Sequence, residues 1–279
     1  LRPCRLLFED CVFMKDDVLL DDDPVRTARL GRLKRRAAVP EIFRPKLWLL
    51  DLDDTVLGSS RGLLHAIHLR MNAFITERLG LPEAQAEALR TQYWEEYGST
   101  FLGMWLRHGV DPREFLPATH DFDFAPYVSC EGDPKQALKK LPGRKVVFTN
   151  GPRNYADAVL KAMGMSEFFD AEVTSTEMRL FGDWRPKPNT SMFAATCARF
   201  GVSPRETVFV DDSPMNLKAA ARTGLTTVWC TGYRRVAGKL PWRKPYPYID
   251  HVVGHVRELP KLFGTCGASN GRHEHRELV

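Results

Sequence analysis

The chain has 279 residues, 43% of them apolar and 27% charged, enough to bury a real core in one large or two small domains. No apolar run approaches the roughly 20 residues that span a bilayer, and charges throughout the first twenty positions break any signal-peptide core, so a cytoplasmic protein is expected. A net charge of +5 is too modest to single out a nucleic-acid polymer as partner. The six cysteines (Cys4, Cys11, Cys130, Cys197, Cys230 and Cys266) form no Cys-x-x-Cys pair, which excludes a zinc ribbon or dithiol motif.

Residues 1–44 alternate acidic runs (Asp21–Asp23) with basic ones (Arg29 to Arg36) and hold no sustained period, so a poorly ordered leader is expected. The basic run reads as a solvated arm rather than a nucleic-acid site. Leu47-Trp-Leu-Leu50 is a short apolar run bounded by polar residues, the pattern of a strand buried on both faces. It ends in Asp51-Leu-Asp53-Asp54-Thr55. Open α/β sheets bind ligands just beyond the carboxyl ends of their strands. Three acids in four residues repel one another unless a cation sits among them, and they suit a hard divalent ion such as Mg2+.

A hinge-like polar stretch, Gly58 to Gly62, leads into helical spacing from Leu64 to Leu79, ended by Gly80 and Pro82. Further helices are predicted from Pro82 to Tyr97, from Thr100 to His108 before Gly109, and after Asp111-Pro112. His65 and His68 read as helix surface and His120 as a linker contact. Tyr93, Trp94, Tyr97, Phe101 and Trp105 read as the core of this helical stretch, with at most one ring facing a ligand. Strand–helix alternation resumes with strands at 145–150, 171–175, 207–212, 226–230 and 248–253. That rhythm predicts a parallel sheet with helices on both faces. The tail from Gly264 reads as disordered.

Chemistry gathers at the strand and loop ends. Thr149-Asn150 offers a hydroxyl and an amide at a strand-to-helix turn. Arg185-Pro186-Lys187-Pro188 stiffens the backbone around one ammonium group. Asp211-Asp212 closes a later strand. Each alone has an ordinary structural explanation as a cap, a surface lysine or a turn.

Together, Asp51-Leu-Asp53-Asp-Thr55, Thr149-Asn150, Lys187 and Asp211-Asp212 resemble the motif set of the haloacid dehalogenase superfamily. The resemblance covers residues 45–263. It implies an α/β, Rossmann-like three-layer core (45–61 and 125–263) with an inserted all-helical cap (62–124). It also implies an Mg2+-dependent phosphomonoester hydrolase. Asp51 would be the nucleophile that forms an aspartyl-phosphate, and Asp53 the general acid and base. Thr149, Asn150 and Lys187 would hold the phosphoryl group. Mg2+ would be held by Asp51, the main-chain carbonyl of Asp53, and Asp212, with Asp211 acting through water. Having Asp53 favours phosphoryl transfer over carbon–halide displacement.

A narrower likeness is to pyrimidine 5'-nucleotidases. It rests on Tyr97-Gly-Ser-Thr100, Thr119-His120-Asp121-Phe-Asp123, and Leu141 to Gly151. It implies a nucleoside monophosphate as the small phosphorylated substrate. That branch commonly carries Leu-Tyr-Pro after the first acids. This chain has Val56-Leu57-Gly58-Ser59, in a segment expected to open toward the substrate. The alternatives are a phosphatase of phosphoglycolate or a sugar phosphate and, more distantly, a non-catalytic phospho-binding scaffold.

Overall fold

The computed structural model describes residues 44–59, 62–128, 134–233 and 246–263. All of them fall in one unit, Ile42–Val279. The predicted leader but for Arg44, the whole tail from Gly264, and Cys130 lie outside the described residues.

The core strands are β1 (Leu47–Leu50), β2 (Arg144–Phe148), β3 (Ala171–Val173), β6 (Thr207–Asp211), β7 (Thr226–Cys230) and β8 (His251–Val253). They form one sheet in the order β3-β2-β1-β6-β7-β8, and every pairing is parallel. A small antiparallel hairpin, β4 (Arg179–Leu180) and β5 (Asp183–Trp184), stands apart from it.

Each central strand is apolar at consecutive positions because both of its faces are covered. Leu47 and Leu49 pack with Val146, Phe148 and Phe209 on one face. Trp48 and Leu50 pack with Val147, Val208, Val210 and Val228 on the other. In register, Leu49 is opposite Val146 on one side and Phe209 on the other. The Trp48 indole stays satisfied inside by donating to the Pro142 carbonyl at 2.7 Å.

The connections supply the covering helices: α5 (Lys135–Lys140), α6 (Arg153–Ala162), α7 (Thr190–Arg199), α8 (Pro214–Thr223) and α9 (Leu259–Phe263). Between β1 and β2 stand α1 (Leu63–Leu79), α2 (Glu83–Tyr97), α3 (Thr100–His108) and α4 (Pro112–His120). Gly80, Gly98 and Gly109 end the first three in the left-handed conformation. Asp111 caps α4 by accepting from the Arg113 N–H at 2.8 Å. These four helices have their own core, with Ile75, Tyr93, Phe101, Met104 and Phe115 buried together. Trp184 of the hairpin joins it, its ring edge-on to Phe101 at 6.1 Å. No described helix is long and apolar enough to cross a membrane.

Candidate active site

β1 and β6 lie side by side in mid-sheet, and the chain leaves them toward opposite edges. The crevice beyond their carboxyl ends is where an open α/β sheet receives a ligand. Asp51 ends β1, its N–H still in the ladder on the Val210 carbonyl at 2.9 Å. The chain then turns tightly. Val56 and Leu57 both donate to the Leu52 carbonyl, at 3.1 and 2.9 Å. Asp54 takes φ 53°, and its carboxylate accepts from Ser59 Oγ at 3.2 Å. This turn leaves Asp53 half-buried at the site, where Tyr155 on α6 donates its hydroxyl to Asp53 Oδ1 at 2.5 Å. The segment Val56–Ser59 does not open toward a ligand as expected. Val56, Leu57 and Ser59 are buried, and a Cβ on Gly58 would stand 2.6 Å from the Tyr233 ring.

Lys187 is fully inside the protein, 2.6 Å from Asp51 Oδ1 and 2.9 Å from Asp211 Oδ2. Its backbone is gripped by the Asn150 side chain. Lys187 N–H donates to Asn150 Oδ1 at 2.9 Å, and Asn150 Nδ2 donates to the Lys187 carbonyl at 3.0 Å. Asp211 also accepts from the Ser213 N–H at 2.7 Å and from Asn216 Nδ2 at 3.1 Å on each oxygen. The Trp229 indole donates to the Asp212 carbonyl at 2.9 Å. Thr149 Oγ1 accepts from the Gly151 N–H at 3.0 Å, which leaves its own hydroxyl proton to donate elsewhere.

Burial raises the Asp51 pKa well above the usual range, and Asp211, Asp212 and Asp53 add to it, while Lys187 opposes them. Burial by itself would lower the Lys187 ammonium, but Asp211 and Asp51 more than reverse that. Asp53 is raised to about 6, chiefly by desolvation, against the Tyr155 hydrogen bond. Oxygens of Asp51, Asp211 and Asp212 come within 4.8 Å of one another. An all-oxygen, net-negative donor set of this kind fits a hard divalent cation.

These residues floor a cavity of 390 Å³ whose other wall is the helical insertion. His68, Arg90, Trp94, Thr100, Phe101 and His120 face it from that side. The expectation of a plain helix surface holds for exposed His65 and fails for His68. Burial pushes both His68 and His120 down to about 4, so both are neutral at physiological pH. His120 is buried edge-on against the Tyr155 ring at 5.5 Å, the linker contact expected of it. Tyr93 and Tyr97 are spent within the insertion, on His108 and Arg107, both at 2.7 Å. Trp94 remains 47% exposed at the cavity wall.

Sequence reasoning missed Tyr155, Asn216, Arg90 and the β4–β5 hairpin. Tyr155 and Asn216 sit in the first turns of α6 and α8 and Arg90 midway along α2, each with ordinary neighbours, and only folding brings them to the crevice. The hairpin did carry a signal, since Phe181-Gly182 between Arg179-Leu180 and Asp183-Trp184 is a glycine-bearing turn between two short alternating flanks.

A profile of the haloacid dehalogenase-like hydrolases matches residues 45–224. The chain belongs to this family. Among curated relatives, a validoxylamine A 7'-phosphate phosphatase from Streptomyces hygroscopicus subsp. limoneus is 29% identical over 67% of this chain and 84% of its own length. A phosphoglycolate phosphatase from Thiobacillus denitrificans is 27% identical over 67% and 83%. The N-acylneuraminate-9-phosphatase of Homo sapiens is 26% identical over 79% and 94%. Among solved structures, an HAD phosphatase from Thermococcus onnurineus superposes with a TM-score of 0.54, at 22% identity, over 78% of this chain and 98% of that one. This last likeness bears on the fold alone.

Proposed function

We propose that this hydrolase is a phosphatase of small phosphorylated metabolites that works through a covalent phosphate on Asp51. One observation carries the reading. Asp51 lies on the Lys187 ammonium, with Asp53 two residues on, at the floor of the cavity beneath the helical insertion. Asp51 Oδ attacks phosphorus, and the bond from phosphorus to the leaving oxygen breaks. Asp53 gives its proton to that oxygen. It then takes a proton from the water that attacks the acyl phosphate, so phosphate leaves and Asp51 is restored. Tyr155 keeps the Asp53 carboxyl turned to the leaving oxygen. Thr149 and the Asn150 N–H hold the non-transferred oxygens, as a helix start does.

The donor chemistry supports Mg2+. A nucleophile must be ionised, yet burial and three neighbouring carboxylates favour its protonated form. Mg2+ held by Asp51, Asp212 and the Asp53 carbonyl would supply the positive charge that Lys187 alone does not. Asp211, whose oxygens already accept from Lys187, Ser213 and Asn216, holds Lys187 in place and would act on the ion through water. Residues 62–124 act as a cap that excludes water and meets the leaving group, with 45–61 and 125–263 as the core.

The three relatives are named for validoxylamine A 7'-phosphate, phosphoglycolate and N-acylneuraminate 9-phosphate, which supports a small non-nucleotide ester. The 5'-nucleotidase reading has Trp94 in its favour, an exposed ring at the cavity wall that could stack a base. Phosphate release from UMP, CMP, AMP, ribose 5-phosphate and phosphoglycolate in Mg2+ separates them. Non-nucleotide esters are expected to have the higher kcat/KM. A lead for UMP or CMP would establish the nucleotidase, and no release from any ester would sink the phosphatase.

A further inference from the structure

Among the described residues, two permanent cations line the cavity. Lys187 is taken up by Asp51 and Asp211. The other, Arg90 on α2, is half-buried, and no carboxylate of the described residues lies within ion-pair distance of it. It donates from Nε to Asn72 Oδ1 at 3.0 Å and from one terminal nitrogen to Thr91 Oγ1 at 3.3 Å. A guanidinium carries about five N–H donors, so most of its fork is left for a ligand. Asn72 is itself buried, so the fork is held before any ligand arrives.

The position of Arg90 places it on the leaving-group side. Asp53 lines the floor of the cavity, and His120, His68 and Arg90 line it from the helical insertion. Tyr155 donates to Asp53, and His120 stands edge-on to Tyr155. The two imidazoles are neutral and add no charge, so this end of the cavity offers one fork and uncharged hydrogen-bonding groups.

We infer that Arg90 is a specificity residue that grips a carboxylate on the leaving alcohol of a small phosphate monoester. This rests on the phosphatase reading above. A planar, singly charged carboxylate matches one guanidinium in two parallel hydrogen bonds. A second phosphate would call for more positive charge than Arg90 supplies there.

The test uses a near-isosteric pair, 3-phosphoglycerate and glycerol 3-phosphate, in which a carboxylate replaces a hydroxymethyl group. The full-length enzyme with Mg2+ is expected to favour the acid in kcat/KM. Arg90→Gln is expected to cut that preference roughly 10- to 100-fold, the scale of a charge-assisted bidentate contact. Arg90→Lys should retain part of it, and covers the case in which the glutamine variant folds poorly. An equal loss on both esters would place Arg90 on the phosphate or in the scaffold and overturn the proposal. So would a wild-type preference for glycerol 3-phosphate. Failure of the phosphatase reading itself would show as no turnover of either ester. Calorimetric affinity of Asp51→Asn for the two esters, with and without Arg90→Gln, still decides the carboxylate question then. An affinity ratio unmoved by Arg90→Gln would overturn it.

Discussion

Lys187 has two carboxylates on one buried ammonium, and that crowding separates the stability of the site from its use. Asp51 stands among Asp53, Asp211 and Asp212, and burial and those carboxylates disfavour its charge against the pull of Lys187. Replacing it with Asn is expected to remove a repulsive, desolvated charge while ending nucleophilic attack. Asp51→Asn should therefore lose activity well beyond the roughly 100- to 10,000-fold typical of a lost acid-base group, with its melting temperature kept or raised. Phosphate release and thermal unfolding on one preparation check this, and substantial residual turnover would mean another nucleophile. Removing the cation has the opposite sign. Lys187→Met leaves Asp51 and Asp211 buried and unpaired, at a cost of about 3–5 kcal/mol near neutral pH.

His120 gives the fold a pH dependence whose sign follows from its burial. Its pKa is lowered from 6.5 to about 4, so the folded protein refuses a proton that the unfolded chain accepts. Stability is thus fully present above about pH 6.5 and falls as pH drops toward 4. The slope is at most about 1.4 kcal/mol per pH unit in that window. Urea unfolding at about pH 7.5 and about pH 5 should show a loss to which His120 contributes roughly 2 kcal/mol, a share that His120→Asn removes while that of His68 stays. An amide can still donate to the Leu116 carbonyl, which His120 Nδ1 meets at 3.1 Å. If both proteins lost stability equally, His120 would not be the group that titrates.

At the scale of the element, the end of α2 does more than stop a helix. Gly98 is left-handed at φ 74°, and a Cβ there would lie 2.5 Å from Pro188 Cδ and 3.1 Å from the Lys187 carbonyl. The insertion therefore touches the backbone that carries the Lys187 ammonium. Gly80 ends α1 in the same conformation, φ 65°, with nothing within 4 Å. Gly80→Ala should cost only the strain of a left-handed alanine, about 1–2 kcal/mol. Gly98→Ala should cost more and also lower kcat/KM, because it pushes the insertion away from Lys187. Equal melting losses and equal kinetics for the two variants would show that the insertion and Lys187 are not coupled there.

At the scale of the molecule, Asp51, Thr149 and Asp212 follow the carboxyl ends of neighbouring strands, a loop brings Lys187 to them, and the helical insertion lines the opposite side of the cavity. A cation that joins Asp51 and Asp212 in the folded state alone stabilises that state by mass action. Mg2+ at 100 times its dissociation constant should add about 2.7 kcal/mol. Wild-type melting temperature should rise with Mg2+, and that of Asp212→Asn should rise much less. A flat wild-type response would argue against a metal on these carboxylates.

Elements bounded by unambiguous chemistry were legible in the sequence. The apolar runs Leu47–Leu50, Thr207–Val210 and Thr226–Cys230 announce buried parallel strands because burial on both faces removes any need for alternation. Gly80, Gly98 and Gly109 announce helix ends because few other residues take the left-handed turn at low cost. Asp51, Asp53, Thr149, Lys187 and Asp211-Asp212 stood out since charged and hydroxyl groups at strand ends have few structural uses in such numbers.

What only the tertiary structure decided is which side chains share a contact across long separations. Tyr155 reaches Asp53 over 102 residues and Asn150 reaches Lys187 over 37, and neither spacing leaves a local pattern. The Val56–Ser59 segment turned inward because Tyr233, more than 170 positions away, covers Gly58. Arg90 reads in sequence as one more helix-surface arginine. Its place at the cavity follows from how α2 packs on α1 and over the sheet, and a side chain's solvation is a property of that packing and not of its neighbours along the chain.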